Sequence, residues 1–193
     1  MNNFALKVFK YRSYSPIPFV VLMLVFQEAT PISLAIGFAV ALLGEFFRFW
    51  GVAYAGSETR RTGEVGATYL VVSGAFAHLR NPLYLGNMLM YLGIGIMSYA
   101  LFPYLQIVAL AFFMWQYYVI IKEEEGFLVQ KYGNAYEEYR KSVPKLIPSF
   151  KAYPNPGIEQ PPFNPKAGLK SEMRTLQAFA FIILIVIVRY ALS

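Results

Sequence analysis

The chain contains no cysteine, no aspartate and only one histidine, His78. Each absence removes a class of chemistry. Without cysteine there is no disulfide, no thiolate metal site and no cysteine nucleophile. One histidine and no aspartate cannot build a histidine-rich zinc centre or a Ser-His-Asp triad within one chain, so no metal site is expected. Charge is scarce as well. Charged residues are 15% of the 193 and apolar residues 57%, whereas soluble domains carry roughly 25% and 45–50%. That balance argues against an ordinary soluble domain and a disordered chain, and predicts a multi-span membrane protein. The net charge of +6 then reads as a membrane-surface bias, with no nucleic-acid partner expected.

A helix needs about 20 apolar residues to cross a bilayer core, and five stretches are candidates. Pro16–Phe26 is apolar and extends through Gln27 and Glu28 to Thr30. Ile32–Trp50 follows, interrupted only by Glu45 and Arg48 near its end, and Pro31 predicts a hairpin turn between the two. Leu83–Phe102 and Pro103–Ile121 carry no charge, and Pro103 suits the first turn of a new helix. Thr175–Ser193 is the fifth, with Arg189 near its outer end. The basic residues sort cleanly on this layout. Lys7, Lys10 and Arg12 precede the first span, Arg48, Arg60, Arg61 and Arg80 lie at or between the second and third, and those from Lys122 to Arg174 lie between the fourth and fifth. Sixteen of the 17 fall on one side, leaving Arg189 opposite. The positive-inside rule puts the N-terminus and both large loops in the cytoplasm. The expected fold is an all-α integral membrane protein of about five transmembrane helices, with a cytoplasmic pocket formed after the third and fourth spans.

Residues 1–14 alternate bulky apolar and basic side chains, which suits a short interfacial helix. The first apolar stretch runs into a second span without a small-x-small cleavage site, so it is read as a span and not as a signal peptide. Residues 151–168 hold five prolines and predict an extended linker. The expected organisation is 1–66 as an interfacial segment and helical hairpin, 67–150 as the functional core, and 151–193 as a proline-rich linker and C-terminal span.

Polar features concentrate in two blocks. Leu70–Asn87 reads L-V-V-S-G-A-F-A-H-L-R-N-P-L-Y-L-G-N, followed by G-I-G at Gly93–Gly95. Pro82 suits a helix start, and Gly86 and Gly93, seven apart, share a helix face that lets a helix or a ligand approach closely. Tyr84 suits the interfacial aromatic belt. The second block, Glu123–Pro148, opens with three glutamates at the expected cytoplasmic end of the fourth span. There they oppose the helix macrodipole, so a basic group or cationic ligand should favour them. Leu128, Tyr132, Tyr136, Tyr139 and Val143 follow at helical spacing; Gly133 predicts a break and Asn134, with Glu137, a capping box.

In order, L-x-x-S-G-x-x-x-x-x-R-x-P-x-Y-x-G, a span with G-x-G, a second span and E-E-x-x-L-x-x-x-[YF]-G-x-x-Y-x-x-Y-x-x-x-V-P-x-x-I-P resemble the membrane methyltransferases of the isoprenylcysteine carboxyl methyltransferase and phospholipid methyltransferase group. The resemblance covers Leu70–Pro148 and aligns the glutamate pair with Glu124 and Glu125. One departure is clear: the usual R-H-P has Asn81 in place of histidine. Asparagine can hydrogen-bond but cannot titrate, and His78 is the nearby residue that could compensate.

The resemblance implies methyl transfer from S-adenosylmethionine to a lipid or prenylated small-molecule or peptide acceptor. It implies catalytic roles for Arg80 and Glu124. It implies cofactor contacts from Arg80, Asn81, Pro82, Tyr84, Gly86, Gly93, Gly95, Glu124 and Glu125. Glu124 and Glu125 would hold the ammonium or ribose, Arg80 the carboxylate, and Gly93 and Gly95 would leave room beside the third span. Two other classes fit parts of the pattern. One is an NADPH-dependent membrane reductase of sterol-reductase type, with Arg60, Arg61 and Arg80 as a 2′-phosphate cluster. The other is a non-enzymatic scaffold or small transporter; the lack of a mid-span charge argues against transport.

Overall fold

Apolar runs of this length satisfy their backbone in a bilayer only as helices or closed barrels. The computed structural model describes residues 3–55 and 69–192, and among these there is no strand. Among the described residues seven α-helices run in order: α1 Asn3–Tyr11, α2 Ile17–Val25, α3 Pro31–Ala55, α4 Pro82–Ser98, α5 Tyr104–Tyr132, α6 Asn134–Ser142 and α7 Pro165–Leu192. A short 3₁₀ turn, Gly74–Ala77, precedes α4. The protein is thus an all-α integral membrane protein.

Three helices, α3, α5 and α7, are long and apolar enough to cross a membrane. α4 has 17 residues, about 25 Å of helix, at the lower limit for a span. The expected first span is shorter than its apolar run: α2 is nine residues, about 13 Å. The helix ends because residues 27–30 leave it to form the start of α3. There the Thr30 amide donates to the Ser33 hydroxyl at 2.9 Å and the Ser33 amide to the Thr30 hydroxyl at 3.1 Å, with Pro31 as the first helical residue. This reciprocal cap gives hydroxyl acceptors to two backbone N–H donors at the helix start. The last helix begins earlier than expected, at Pro165, where the Asn164 side chain accepts from the Ala167 amide at 2.9 Å.

The helix ends gather into two groups. At one end of the bundle Gly51 meets Pro82, Tyr84 meets Glu124 and Gly168 lies on Ala53. At the other the Glu28 amide donates to Ser98, Gln27 to Val186 and Arg189 to Leu24.

α3 against α4 is the most extensive helix contact, and glycines set its closeness. Gly37, Gly44 and Gly51 recur every seven residues on α3; Gly37 and Gly44 face Gly93 and Gly86 on α4, and Gly51 faces Pro82 and Leu83. A Cβ on Gly93 would lie 2.6 Å from the Ala41 nitrogen and 2.6 Å from the Gly37 oxygen; one on Gly44 would lie 2.6 Å from the Gly86 oxygen. Backbone therefore meets backbone, the arrangement small residues permit in membrane bundles. We predict that Gly93→Val forces these helices apart and lowers the stability of the detergent-solubilised protein by about 1–3 kcal/mol, the usual cost of overpacking. Thermal unfolding reads this out, and an unchanged midpoint would contradict the contact.

Candidate active site

The two motif blocks meet where α4 begins and α5 approaches its end. Arg80 is the joint. Its Nε donates to Glu125 Oε1 at 3.0 Å and its Nη2 to the same oxygen at 2.8 Å. Its Nη1 donates to the Arg140 carbonyl at 2.6 Å and to the Val143 carbonyl, and its amide donates to the Pro144 carbonyl at 2.9 Å. The neighbouring Asn81 donates from Nδ2 to the Lys145 carbonyl at 3.0 Å. Lys145 Nζ completes the group 3.5 Å from Glu125 Oε2. The first motif block is in this way bonded to the last turn of α6 and to the Val143–Lys145 segment beyond it.

Beside this pair stands a second one. The Tyr84 hydroxyl donates to Glu124 Oε1 at 2.8 Å, and its ring stacks on Tyr117 with centroids 4.6 Å apart. Tyr117 rests in turn against the Asn87 side chain. The glutamates do not terminate their helix, as the sequence reading expected. α5 runs on to Tyr132, about two turns past Glu125, and the dipole acts only over the last turn. They lie instead beside the first turn of α4, whose positive end favours them.

Below the pair, α6 docks through Tyr136 and Tyr139, which pack with Leu70, Val72 and Val143. The Tyr139 hydroxyl donates to the Phe76 carbonyl at 2.7 Å. Burial pushes the Tyr139 phenol up, which keeps it a donor. The break before α6 is at Gly133, with φ +54°, a conformation suited to glycine. Asn134, expected to cap this helix, is its first residue, and no side chain caps it. The only histidine pairs its Nδ1 with the Ser149 carbonyl at 2.8 Å and packs on Trp50.

Arg80, Asn81, Tyr84, Glu124 and Glu125 are thus brought together, with Pro82 beside them as the first residue of α4. The three glycines lie apart from this group. Gly86 and Gly93 face α3, and the space beside Gly95 is filled by Met23 and Gln106, 3.1 and 3.2 Å from where a Cβ would stand. Gly95 is also about 16 Å along α4 from Tyr84. Arg60 and Arg61 lie outside the described residues. Arg80, the third member of that cluster, has four of its five N–H groups already engaged.

This pairing lies almost wholly within a stretch, residues 32–135, that matches the family model described as phospholipid methyltransferase. The chain belongs to the phospholipid methyltransferase family. It is 30% identical over 124 residues to the cobalt-zinc-cadmium resistance protein CzcN of Cupriavidus metallidurans, covering 64% of this chain and 53% of that protein. It is 34% identical over 80 residues to the protein-S-isoprenylcysteine O-methyltransferase of Schizosaccharomyces pombe, covering 41% of this chain and 33% of that one. The aligned regions thus span about half and one third of these relatives. No solved structure matches it. The match to the phospholipid methyltransferase family takes in α3, α4 and α5 and stops inside α6, so α7 lies beyond it.

One polar cluster was not legible in the motifs. Arg48 of α3 donates from Nε and Nη2 to Glu172 Oε2 of α7, at 3.1 and 2.5 Å, and from Nη1 to Asn87 of α4. Arg48 is 8% exposed and Glu172 1%. Arg48 follows Gly44 by four residues and so shares its face, which turns the guanidinium toward α4 and away from lipid. That spacing is the signal in the sequence. Glu172, 124 residues away, left no such trace.

Breaking a buried pair by removing one partner costs about 3–5 kcal/mol. We predict a loss of that size for Arg80→Ala in chemical unfolding, with faster hydrogen exchange at Val143–Lys145. Arg80→Lys should recover only part of it, because lysine restores the charge and not the fork. Full recovery by lysine would show that the carbonyl bonds contribute little.

Proposed function

We propose that this protein transfers a methyl group from S-adenosylmethionine to a lipid or lipid-modified acceptor at the cytoplasmic face of the membrane. Family membership supports the reaction class. The one-sided distribution of lysine and arginine supports the cytoplasmic face. The observation that carries the reading is the pair of carboxylates at the α4–α5 junction, Glu125 fixed by Arg80 and Glu124 by Tyr84.

The donor set fits this cofactor, which presents a sulfonium, an ammonium, a carboxylate and a ribose. Carboxylates suit the ammonium and ribose hydroxyls, the stacked Tyr84 and Tyr117 rings offer π faces to a cation, and Lys145 Nζ is a cation suited to a carboxylate. Bound S-adenosylmethionine supplies a methyl group on a positively charged sulfur. Glu124 would hold the ammonium or the ribose, with Tyr84 fixing which oxygen is presented. Arg80 acts on this reading through Glu125, as a positioning residue. Asn81 and Pro82 set the start of α4, and α6 covers the junction. Methyl transfer needs orientation and dryness more than a protein nucleophile, so the lack of cysteine and aspartate is no obstacle.

The test is isothermal titration of the purified protein with S-adenosylmethionine, its demethylated product and NADPH. The first two should bind, and Glu124→Gln should weaken both about tenfold or more, the value of a charge-assisted hydrogen bond. Binding of NADPH without binding of the methyl donor would sink the reading in favour of a reductase. No binding of any of the three would favour a scaffold.

A further inference from the structure

α1 lies outside the stretch matched to the family, and it packs beside the Tyr84–Glu124 pair. Ala5 and Phe9, four residues apart, share a buried face, while Phe4, Leu6, Lys7, Lys10 and Tyr11 are exposed. Phe9 packs in one cluster with Met88 and Tyr117, and Tyr84 packs against that cluster. The chain past α1 is tied down as well: the Ser15 hydroxyl donates to Gln116 Oε1 at 2.9 Å, one residue before Tyr117.

Arg12 is the charge that this packing brings to the site. Its guanidinium lies 3.7 Å from the centre of the Phe9 ring, and its Nη1 donates to the Phe9 carbonyl at 2.8 Å. It stands near enough for its charge to act on Tyr84, Tyr117 and Glu124. Among the described residues it nevertheless makes no ion pair with Glu124, and its other N–H groups have no hydrogen-bond partner. Arg80 is the opposite case, with four of its five N–H groups engaged. A cation with an open fork thus stands near a carboxylate without bonding to it. The fork matches the paired oxygens of a phosphate or carboxylate. The surface around it belongs to lipid: Phe4 is exposed and lies edge-on to Trp115, itself 48% exposed, as suits an interfacial helix.

We infer that Arg12 is a specificity-determining residue, whose open N–H groups hold the anionic group of a lipid lying beside α1. The two charges then divide the work. Glu124 takes the cationic end of the cofactor and Arg12 the anion of the acceptor, while Lys145, on the Glu125 side, remains for the cofactor carboxylate. The role in choosing an acceptor rests on the proposed methyl transfer. Retention of the lipid does not, so the two can fail separately.

Native mass spectrometry of the full chain in detergent measures this with two lipid pairs. Dioleoyl phosphatidate and dioleoylglycerol differ in a phosphate; oleate and oleyl alcohol differ in a carboxylate. In at least one pair the anion should be retained at about tenfold lower concentration than its neutral partner, and the pair that shows the gap tells phosphate from carboxylate. Arg12→Gln should close the gap, and Arg12→Lys should restore part of it. Lys10→Gln, on the exposed face of the same helix, should leave it intact. Equal retention within both pairs would overturn the inference. So would a gap that survives Arg12→Gln, or one that Lys10→Gln removes as well, which would mark diffuse attraction to a basic surface. Isothermal titration of Arg12→Gln with S-adenosylmethionine should match the unaltered protein; an affinity about tenfold lower would assign Arg12 to the cofactor carboxylate and overturn the inference. Should Arg12→Gln fail to fold, Arg12→Lys decides, with a gap smaller than that of the unaltered protein expected and an undiminished one against it. An intact lipid gap in a protein that does not bind the methyl donor would sink the methyl-transfer reading and keep the lipid site.

Discussion

Arg80 stands where the chain turns from an irregular segment into α4, and its guanidinium reaches two other parts of the fold at once. One edge meets Glu125 of α5, and Nη1 meets the carbonyls of Arg140 and Val143. A planar fork of five donors can serve a carboxylate and two carbonyls together, which a lysine cannot. The exposures are low, 10% for the Arg80 side chain and 11% for that of Glu125, so the pair is screened little by solvent. The consequence is geometric. With α4, α5 and α6 fixed to one another at this point, Glu124, one residue along, must face the first turn of α4, where Tyr84 waits as its donor.

The rest of the bundle answers a different requirement. Lipid gives helices no hydrophobic reason to associate, so they hold by close packing and by internal polar contacts. α3 and α4 use both. Their glycines bring backbones together along most of the shared length. One turn past Gly44, Arg48 crosses over Gly86 to Asn87 and on to Glu172. The polar track from Glu172 to Arg48, Asn87, Tyr117, Tyr84 and Glu124 links α7, α3, α4 and α5. Apart from Tyr117, in the middle of α5, its members lie in the last third of α3 and of α5 and in the first turns of α4 and α7.

The order of the motif blocks made the class of protein and the centre of the site legible before any geometry. Arg80, Asn81, Tyr84, Glu124 and Glu125 meet because both blocks flank an α4–α5 hairpin joined by a short turn, and such a hairpin returns its outer ends to one level. Glycine was legible as a close-approach signal and illegible as to what approaches. Gly86 and Gly93 face Gly44 and Gly37 of α3, so the space went to α3. The shortness of α2 was hidden because apolarity sets where a helix can be buried, whereas α2 stops at Val25 and the Thr30–Ser33 exchange sets where α3 starts. The proline-rich stretch read as a linker. Its side chains nevertheless tie down the first block: Gln160 accepts from the Val72 amide at 2.8 Å and donates to the Leu70 carbonyl at 2.9 Å. A single glutamine between prolines carries no periodicity that would announce such a bond.

Asn81 shows how a departure from a motif can be read once its bonds are known. The side-chain amide is a strut to the Lys145 carbonyl, and an amide holds that bond at any pH because it does not titrate. A histidine there could form the strut and also carry a proton. In this chain His78 cannot take over through Nδ1, which is held at the Ser149 carbonyl. Strut and proton carrier are therefore separate tasks here, and the groups at the junction able to accept a proton are carboxylates. A carboxylate acceptor would ask nothing of them, since its methylation releases no proton. An amine acceptor would, and on the proposed function Glu124 would then have to serve both cofactor and acceptor, because Glu125 is already bound by Arg80 and Lys145. The choice of acceptor and the need for Glu124 as a base are thus one question, and the loss of the motif histidine is what joins them.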